Sequence, residues 1–418
     1  MNISALAAAS HNRSVYCWGA GRYGMMAGDA LRRAGVSIAG YIDKAIKSSG
    51  DSAITILHPD ALDTHDRGFV VVTSMFFEDE IEHALLSKGY VEDRDYILYS
   101  TLKRWSVEID IAGVCQLRCP TCPNGNFTGQ GLQKGMMDFA LYRRILEKLI
   151  IEIDFLPDVQ LYSWGEPLLN PALPDMVAYS VNQGISVGIS SNLNDIRHLE
   201  KTIQARPDWF RVSLSGVGER YHLTHRGGSW DKVSSNIEQL AELRARYHPG
   251  MVVEINYHLY KNNTKDVEVI AEICERNGFL FKPNAAYIDP LDTLIEYAEG
   301  QPLPEDMAQI AKELLLDIDE VVRDCRLNFS ASCVRENTIV IHSDGSIRQC
   351  PHVFGSQYML EARILDSSIE KIAQSFQQRN LCKRCKTLGL NNFYAYFLNR
   401  TDRHIKEHSV IDDGSDQT

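Results

Sequence analysis

This 418-residue chain is poor in cysteine, lacks long apolar runs and has no excess of positive charge. Ten cysteines in that length are far too few for a disulfide scaffold. No apolar run reaches the roughly 18 residues that mark a membrane-spanning helix. Lysine and arginine total 43 against 55 aspartates and glutamates, a net charge of −12. So acidic a chain lacks the electrostatic footprint of a nucleic-acid binder. Neither nucleic acid nor membrane is therefore expected as a partner. The first residues, MNISALAAAS, carry no basic region ahead of their short apolar patch, so no secretory signal is expected. The expected location is cytoplasmic, where thiols stay reduced. Metal, redox chemistry or burial must then account for the cysteines, and spacing decides which.

Three cysteines lie within eight residues, as Cys115-Gln-Leu-Arg-Cys119-Pro-Thr-Cys122. Four more close the chain's cysteine list: Cys333, Cys350, Cys382 and Cys385. Cys17, Cys274 and Cys325 stand alone.

The elements around them read as α/β. The strand Ser14–Trp18 runs into Gly19-Ala-Gly21-Arg-Tyr-Gly24, then a helix to Arg33 and a strand Val36–Ile42 ending at Asp43. A further strand, Phe69–Thr73, precedes a helix over Phe77–Lys88. Strand, glycine-rich turn, helix, strand and acid form the context of a dinucleotide-type fingerprint. From Arg104 the rhythm changes. Strands are predicted at 107–111, 158–163, 185–190, 209–214, 251–257 and 279–282, with helices such as Asp138–Ile151 and Asp231–Tyr247 between them. Six strand–helix alternations imply a parallel sheet curved into a partial barrel. Pro302–Asp324 reads as one helix, and Thr338–Ile341 and Ser346–Gln349 as a hairpin around Ser-Asp-Gly. A helix follows at 366–378, and the polar stretch 401–418 reads as a frayed tail.

Three thiolates on one loop can bind three irons of a cubane and leave the fourth open to an amine and a carboxylate. A structural zinc would need a fourth ligand. At this spacing after a first barrel strand, the segment resembles the radical S-adenosylmethionine (radical SAM) superfamily. Thr121 stands where that family often has an aromatic residue. Further segments match the family in order, each at a predicted strand end. Tyr162-Ser-Trp-Gly165-Glu166-Pro167 resembles its SAM amino-group motif, and Ser190-Ser191-Asn192 its ribose and carboxylate contact. Arg211-Val-Ser213-Leu-Ser215-Gly216 ends the fourth strand, with Ser215 where many relatives are acidic, and Glu254-Ile-Asn256 lies on the fifth. The resemblance implies a 4Fe–4S cluster on Cys115, Cys119 and Cys122. It also implies SAM contacts from Gly165, Glu166, Pro167, Ser191, Asn192, Ser213 and Ser215, and reductive cleavage of SAM to a 5′-deoxyadenosyl radical. A one-electron donor such as flavodoxin or ferredoxin is the expected protein partner.

The C-terminal four, with Cys333 and Cys350 about the hairpin and Cys382 and Cys385 on a tight loop, resemble the shortened auxiliary-cluster (twitch) domain of such enzymes, related to SPASM but lacking its extra cysteines. They imply a second 4Fe–4S cluster, with structural zinc as the alternative. In radical SAM epimerases a cysteine donates a hydrogen atom, a role for which Cys325 is the candidate here and Cys274 the second choice; packing is the alternative for both. His222 and His225 lie in a loop that could reach the site, with proton transfer or a structural role open. Gly19, Gly21, Gly24 and Asp43 resemble the small Rossmann-like modules of some sugar-modifying enzymes and could grip a nucleotide or phosphorylated sugar. A purely structural module is the alternative.

The expected architecture is thus an N-terminal Rossmann-like module (1–103), a partial (β/α)6 radical SAM barrel (104–310), a C-terminal iron–sulfur domain (311–400) and a tail (401–418). The expected reaction is oxidation, epimerisation or deoxygenation of a small polar substrate: a sugar, aminosugar or nucleotide-sugar. A peptide-modifying maturase and a non-catalytic SAM-binding sensor are the alternatives.

Overall fold

The computed structural model describes residues 1–10, 12–44, 55–63, 68–74, 77–126, 135–327, 333, 335–377 and 380–393. The tail expected at 401–418 lies outside the described residues. The chain forms two units: Met1–Ser106 with Leu146–Val159 and Tyr179–Val187, and Val107–Ile145 with Gln160–Ala178 and Gly188–Thr418.

The first unit holds five strands: β1 (Val15–Trp18), β2 (Ile38–Ile42), β3 (Ile56–Leu57), β4 (Phe69–Val72) and β5 (Tyr96–Leu98). They pair in parallel in the order β3-β2-β1-β4-β5. Alternate residues of each strand feed two separate apolar cores. Val15, Cys17, Phe69 and Val71 enter one, with Ala27, Ala30 and Leu31 of the helix Arg22–Arg33. Trp18, Ile42, Val70 and Val72 enter the other, with Ile81 and Leu85 of the helix Glu78–Ser87. A parallel sheet must be covered on both faces, and these cores cover it. The order 3-2-1-4-5 is that of a doubly wound sheet of order 3-2-1-4-5-6 without its sixth strand.

The second sheet begins with six parallel-wound strands: β6 (Ser106–Ile109), β7 (Asp158–Gln160), β8 (Ser186–Ser191), β9 (Trp209–Leu214), β10 (Val252–Leu259) and β11 (Leu280–Ala285). Three more follow: β12 (Thr338–Ile341), β13 (Ser346–Arg348) and β14 (Met359–Arg363). The order is β11-β10-β9-β8-β7-β6-β12-β13-β14, with the last three forming an antiparallel meander. Six strands in unbroken sequence order, joined by crossovers of one hand, send their helices to one face. Phe210, Val212 and Leu214 of β9 and Val253, Ile255, Tyr257 and Leu259 of β10 are buried. The alternate residues form in-register polar rows instead: Ser190 beside Arg211 beside Glu254, Ser213 beside Asn256 beside Lys282, and His258 beside Asn284.

All six predicted barrel strands are present within a few residues. The segment Pro302–Asp324 differs, because it forms two helices, Glu305–Glu313 and Ile318–Leu327. Leu314 turns extended and bridges Tyr260. Asp317 then accepts from the Glu320 amide at 3.1 Å and starts the second helix. Cys382 and Cys385, expected on a tight loop, lie on a helix, Asn380–Thr387. A spacing of three residues puts both thiols on one helical face.

Candidate active site

The loop that leaves β6 carries Cys115, Cys119 and Cys122, and it is fixed from three directions. Gly165 is the tightest point. A Cβ there would lie 1.4 Å from the Ala112 carbonyl oxygen, so only glycine lets the turn after β7 meet the loop after β6. The Glu166 amide seals this contact by donating to the Val114 carbonyl at 2.9 Å. Asp110, at the end of β6, accepts from the backbone amides of Gly165, Trp164 and Ala112, while burial raises its carboxyl to about 6. Within the loop, Gly125 presses on Cys119, where a Cβ would lie 2.4 Å from the Cys119 carbonyl oxygen. Arg118 N–H donates to the Arg226 carbonyl at 2.8 Å, tying the loop to the chain beyond β9.

Glu166 is 2% exposed. Its Oε1 accepts from the Leu168 amide at 3.0 Å and its Oε2 from the Asn192 amide at 2.8 Å. Burial raises its carboxyl to about 7 against these bonds. Both oxygens therefore have protein partners, and Glu166 links the turn after β7 to the end of β8. Asn192 extends the link: its Oδ1 accepts from Gln116 Nε2 at 2.9 Å, and its Nδ2 lies 3.6 Å from Cys115 Sγ. Asn194 continues the chain to Tyr221, whose hydroxyl accepts from its Nδ2 at 2.6 Å.

Ser191 Oγ accepts from the Leu193 amide at 3.0 Å. Ser213 Oγ lies 3.3 Å from Ser190 Oγ, which accepts from Arg211 Nε at 2.9 Å. Ser215 is buried, and its hydroxyl donates to the Leu214 carbonyl at 2.7 Å. Pro167 starts a short 3-10 turn behind Glu166. His225 is buried and stacks on Tyr221 with ring centroids 4.6 Å apart. Burial holds its imidazole down at about 3, so it is neutral at physiological pH, while His222 is exposed.

The structure brings the three loop cysteines into one electrostatic group. Burial raises Cys115 to about 12, with the charges of Glu166 and Cys122 adding to it. Cys119 is raised by burial and by both other cysteines, and Cys122 reaches about 11 through burial. Thiols so raised would stay protonated in the bare protein, and binding to iron displaces the proton. A set of sulfur donors, half-buried beside a glycine-lined turn, fits an iron–sulfur cluster. Among the described residues, no three His, Cys, Asp or Glu side chains are gathered as for a single metal ion.

Cys333, Cys350 and Cys385 form a second group with Cys382. Cys350 is raised to about 12 by burial and then by Cys333 and Cys382, and Cys385 is raised by burial and by all three others. Cys325 is 1% exposed and packs in the apolar cluster with Leu381, Leu390 and Phe393. Gly389 presses on its backbone, where a Cβ would lie 2.2 Å from the Cys325 carbonyl oxygen. Cys274 is buried on the helix Val267–Asn277, and Cys17 in the first unit's core.

In the first unit, Gly19 has φ +128° and Gly24 lets helix meet strand, since a Cβ there would lie 1.9 Å from the Gly19 carbonyl oxygen. Gly21 faces open space. Asp43 Oδ2 accepts from the Ala20 amide at 2.9 Å, so this acid braces the turn itself.

The sequence reading passed over Asp110, Asn194, Tyr221, Tyr260 and Arg348. Tyr260, from the end of β10, reaches Thr121 with its hydroxyl at 3.0 Å. An aromatic ring thus stands beside the loop although residue 121 is not aromatic. Arg348, on β13, is fully buried and donates to Ser163 Oγ at 2.5 Å.

Comparison with known proteins bears on this geometry. Among curated proteins no match is found. BtrN in complex with AdoMet and 2-DOIA is 18% identical over 68% of this chain and 87% of its own, with a TM-score of 0.39. Native anSMEcpe with bound AdoMet is 16% identical over 73% and 100%, with a TM-score of 0.44. Streptococcus suis SuiB bound to precursor peptide SuiA is 15% identical over 76% and 83%, with a TM-score of 0.46. Residues 109–274, which span β6 to the helix before β11 and include all three loop cysteines, match the family described as Radical SAM superfamily. The chain therefore carries a domain of the radical SAM superfamily, a superfamily of enzymes that use a 4Fe–4S cluster and SAM.

Proposed function

We propose that this protein is a radical SAM enzyme acting on a small polar molecule, with a sugar, aminosugar or nucleotide-sugar as the leading class. The observation that carries this reading is the braced loop of Cys115, Cys119 and Cys122, hydrogen-bonded through Asn192 to Glu166 at the ends of parallel strands. Ligands collect at such strand ends. When bound, the cluster and SAM supply a one-electron reduction that frees a 5′-deoxyadenosyl radical able to take hydrogen from an unactivated C–H bond.

The chain's own residues do the rest. Cys115, Cys119 and Cys122 hold the cluster and leave one iron for SAM. Gly165, Glu166 and Pro167 shape the turn that faces SAM, and Ser191, Asn192 and Ser213 offer polar contacts at the next strand ends. Ser215 works indirectly, by fixing the backbone after β9. The polar rows of β9, β10 and β11 favour a hydroxyl-rich substrate over an apolar one. Cys333, Cys350, Cys382 and Cys385 hold an auxiliary cluster, which suits a net oxidation because it can take the electron left on a substrate radical. Cys325 is assigned to packing rather than hydrogen donation, since it is 1% exposed inside that apolar cluster. Gly19, Gly21, Gly24 and Asp43 give the first unit a turn open to a nucleotide at Gly21. The electron donor is a small flavodoxin- or ferredoxin-type protein. Among the described residues, no helix is long and apolar enough to cross a membrane.

The test is anaerobic reconstitution with iron and sulfide, followed by SAM and dithionite. Formation of 5′-deoxyadenosine supports the proposal, and its absence from a protein with full cluster absorbance removes it. Thermal shifts with UDP- and GDP-sugars test the substrate class, because a ligand of the native state raises Tm.

A further inference from the structure

Among the described residues, Arg348 is the largest fully buried side chain. Its guanidinium has one hydrogen-bond partner, Ser163 Oγ at 2.5 Å, while Nε and Nη1 are buried and have none. Arginine keeps its charge; the carboxylates of Asp110, Glu108 and Asp289 act favourably on it, so what stays unmatched is the hydrogen bonding of two donors. Two neighbours share the deficit. The Trp164 ring lies 6.0 Å from the guanidinium carbon, and its Nε1 is buried without a partner. His342 lies with Nδ1 3.9 Å from Asp110 Oδ2, and its Nε2 is buried without a partner. The Arg348 charge reinforces burial in keeping His342 neutral.

These carboxylates face the charge but give Nε and Nη1 no hydrogen bond. Asp110 is committed to the backbone amides of Gly165, Trp164 and Ala112. Glu108 is 3.4 Å from Arg335, and Asp289 lies 3.8 Å from His352. Native proteins leave few buried donors unpaired, and a cluster of them asks for an absent acceptor. At least three of the four orphaned atoms are N–H donors. Ser163, having accepted from Arg348, still has its own hydroxyl proton to give. A planar fork of donors with one positive charge matches an oxyanion with two or more oxygens.

We propose that Arg348, Trp164 and Ser163 form an oxyanion subsite that receives a carboxylate or phosphate of the substrate. The inference rests on the reading above, that substrate enters at these strand ends, and narrows it to anionic molecules. Arg348 then selects substrate by charge, and Trp164 sets the orientation of the bound group.

The experiment uses the reconstituted holoenzyme with saturating SAM, with inorganic phosphate and acetate as probes and Tm as the readout. At ten times its Kd, the matching anion raises Tm by about 2 °C or more. Phosphate alone points to a phosphorylated substrate, and acetate alone to a carboxylate. Arg348→Met abolishes the response while keeping the Tm rise caused by SAM, which reports a folded site. Should Arg348→Met fail to fold, Trp164→Phe keeps the ring and removes one donor, weakening the anion about threefold or more. No response of the wild type to either probe overturns the proposal, as does an unchanged response in a folded Arg348→Met or in Trp164→Phe. Loss of SAM affinity in Arg348→Met also overturns it, because the donors would then serve SAM. An anion response in a protein that never cleaves SAM would spare the subsite and refute the enzymatic reading instead.

Discussion

Replacing Gly165 by alanine tests the packing that holds the cysteine loop. The new Cβ would sit 1.4 Å from the Ala112 oxygen, and 2.6 Å from its carbonyl carbon. Ordinary contact begins at 3.4 Å, so the turn after β7 must retreat by about 2 Å. That movement breaks the Glu166 amide bond to Val114 and pulls the Trp164 and Gly165 amides from Asp110. Each buried polar group left unmatched costs about 1–3 kcal/mol. The sum is about 3 kcal/mol or more, a Tm loss of roughly 6–12 °C for a unit of this size. Gly21→Ala is the control. It faces open space with φ −71° and should cost under about 1 kcal/mol. Differential scanning calorimetry reads the stability, and iron uptake on reconstitution reads the loop. A Gly165→Ala protein with wild-type Tm and wild-type iron content would refute the reasoning.

Three further outcomes follow from the same geometry. Asn192→Ala removes the side chain between Glu166's strand end and Cys115 and should weaken SAM binding about tenfold or more; titration calorimetry giving an unchanged Kd would contradict that. His225 and His258 are held down at about 3 and about 4 by burial, against an ordinary 6.5. The unfolded chain therefore binds more protons between those values, so their stabilisation is complete above pH 6.5 and is lost as pH falls toward 4. The slope is about 1.4 kcal/mol per pH unit for each histidine, and His258→Gln should remove one share of it in urea titrations. Cys350→Ala with Cys385→Ala should lower bound iron from about eight to about four atoms per chain; iron unchanged and zinc lost would assign the C-terminal thiols to zinc.

The local signals were the legible ones. The repeated strand–helix alternation located β6 to β11, and glycine spacing located the turn at Gly19–Gly24. The cysteine clusters were visible because thiolate chemistry depends on spacing within a loop. The break at Leu314 was not visible, because a tertiary bridge to Tyr260 overrides a continuous helical pattern. Cys382-Lys-Arg-Cys385 reads as a tight loop by its spacing, and the structure makes it part of a helix. Glu166 was legible as a motif residue, while its two inward hydrogen bonds depend on the end of β8. Arg348 carried no signal. A lone arginine in Ser346-Ile-Arg348 looks like a solvated strand end, and only the sheet order, with β12 and β13 added beside β6, buries it.

The central claim is that Cys115, Cys119 and Cys122 hold the cluster that cleaves SAM. The most direct measurement is 5′-deoxyadenosine released by anaerobically reconstituted protein given SAM and dithionite, beside the Cys115→Ala, Cys119→Ala, Cys122→Ala triple variant. The account predicts product from the wild type and none from the variant, which keeps about four irons on its C-terminal thiols. Product from the variant, or none from a fully loaded wild type, would contradict it.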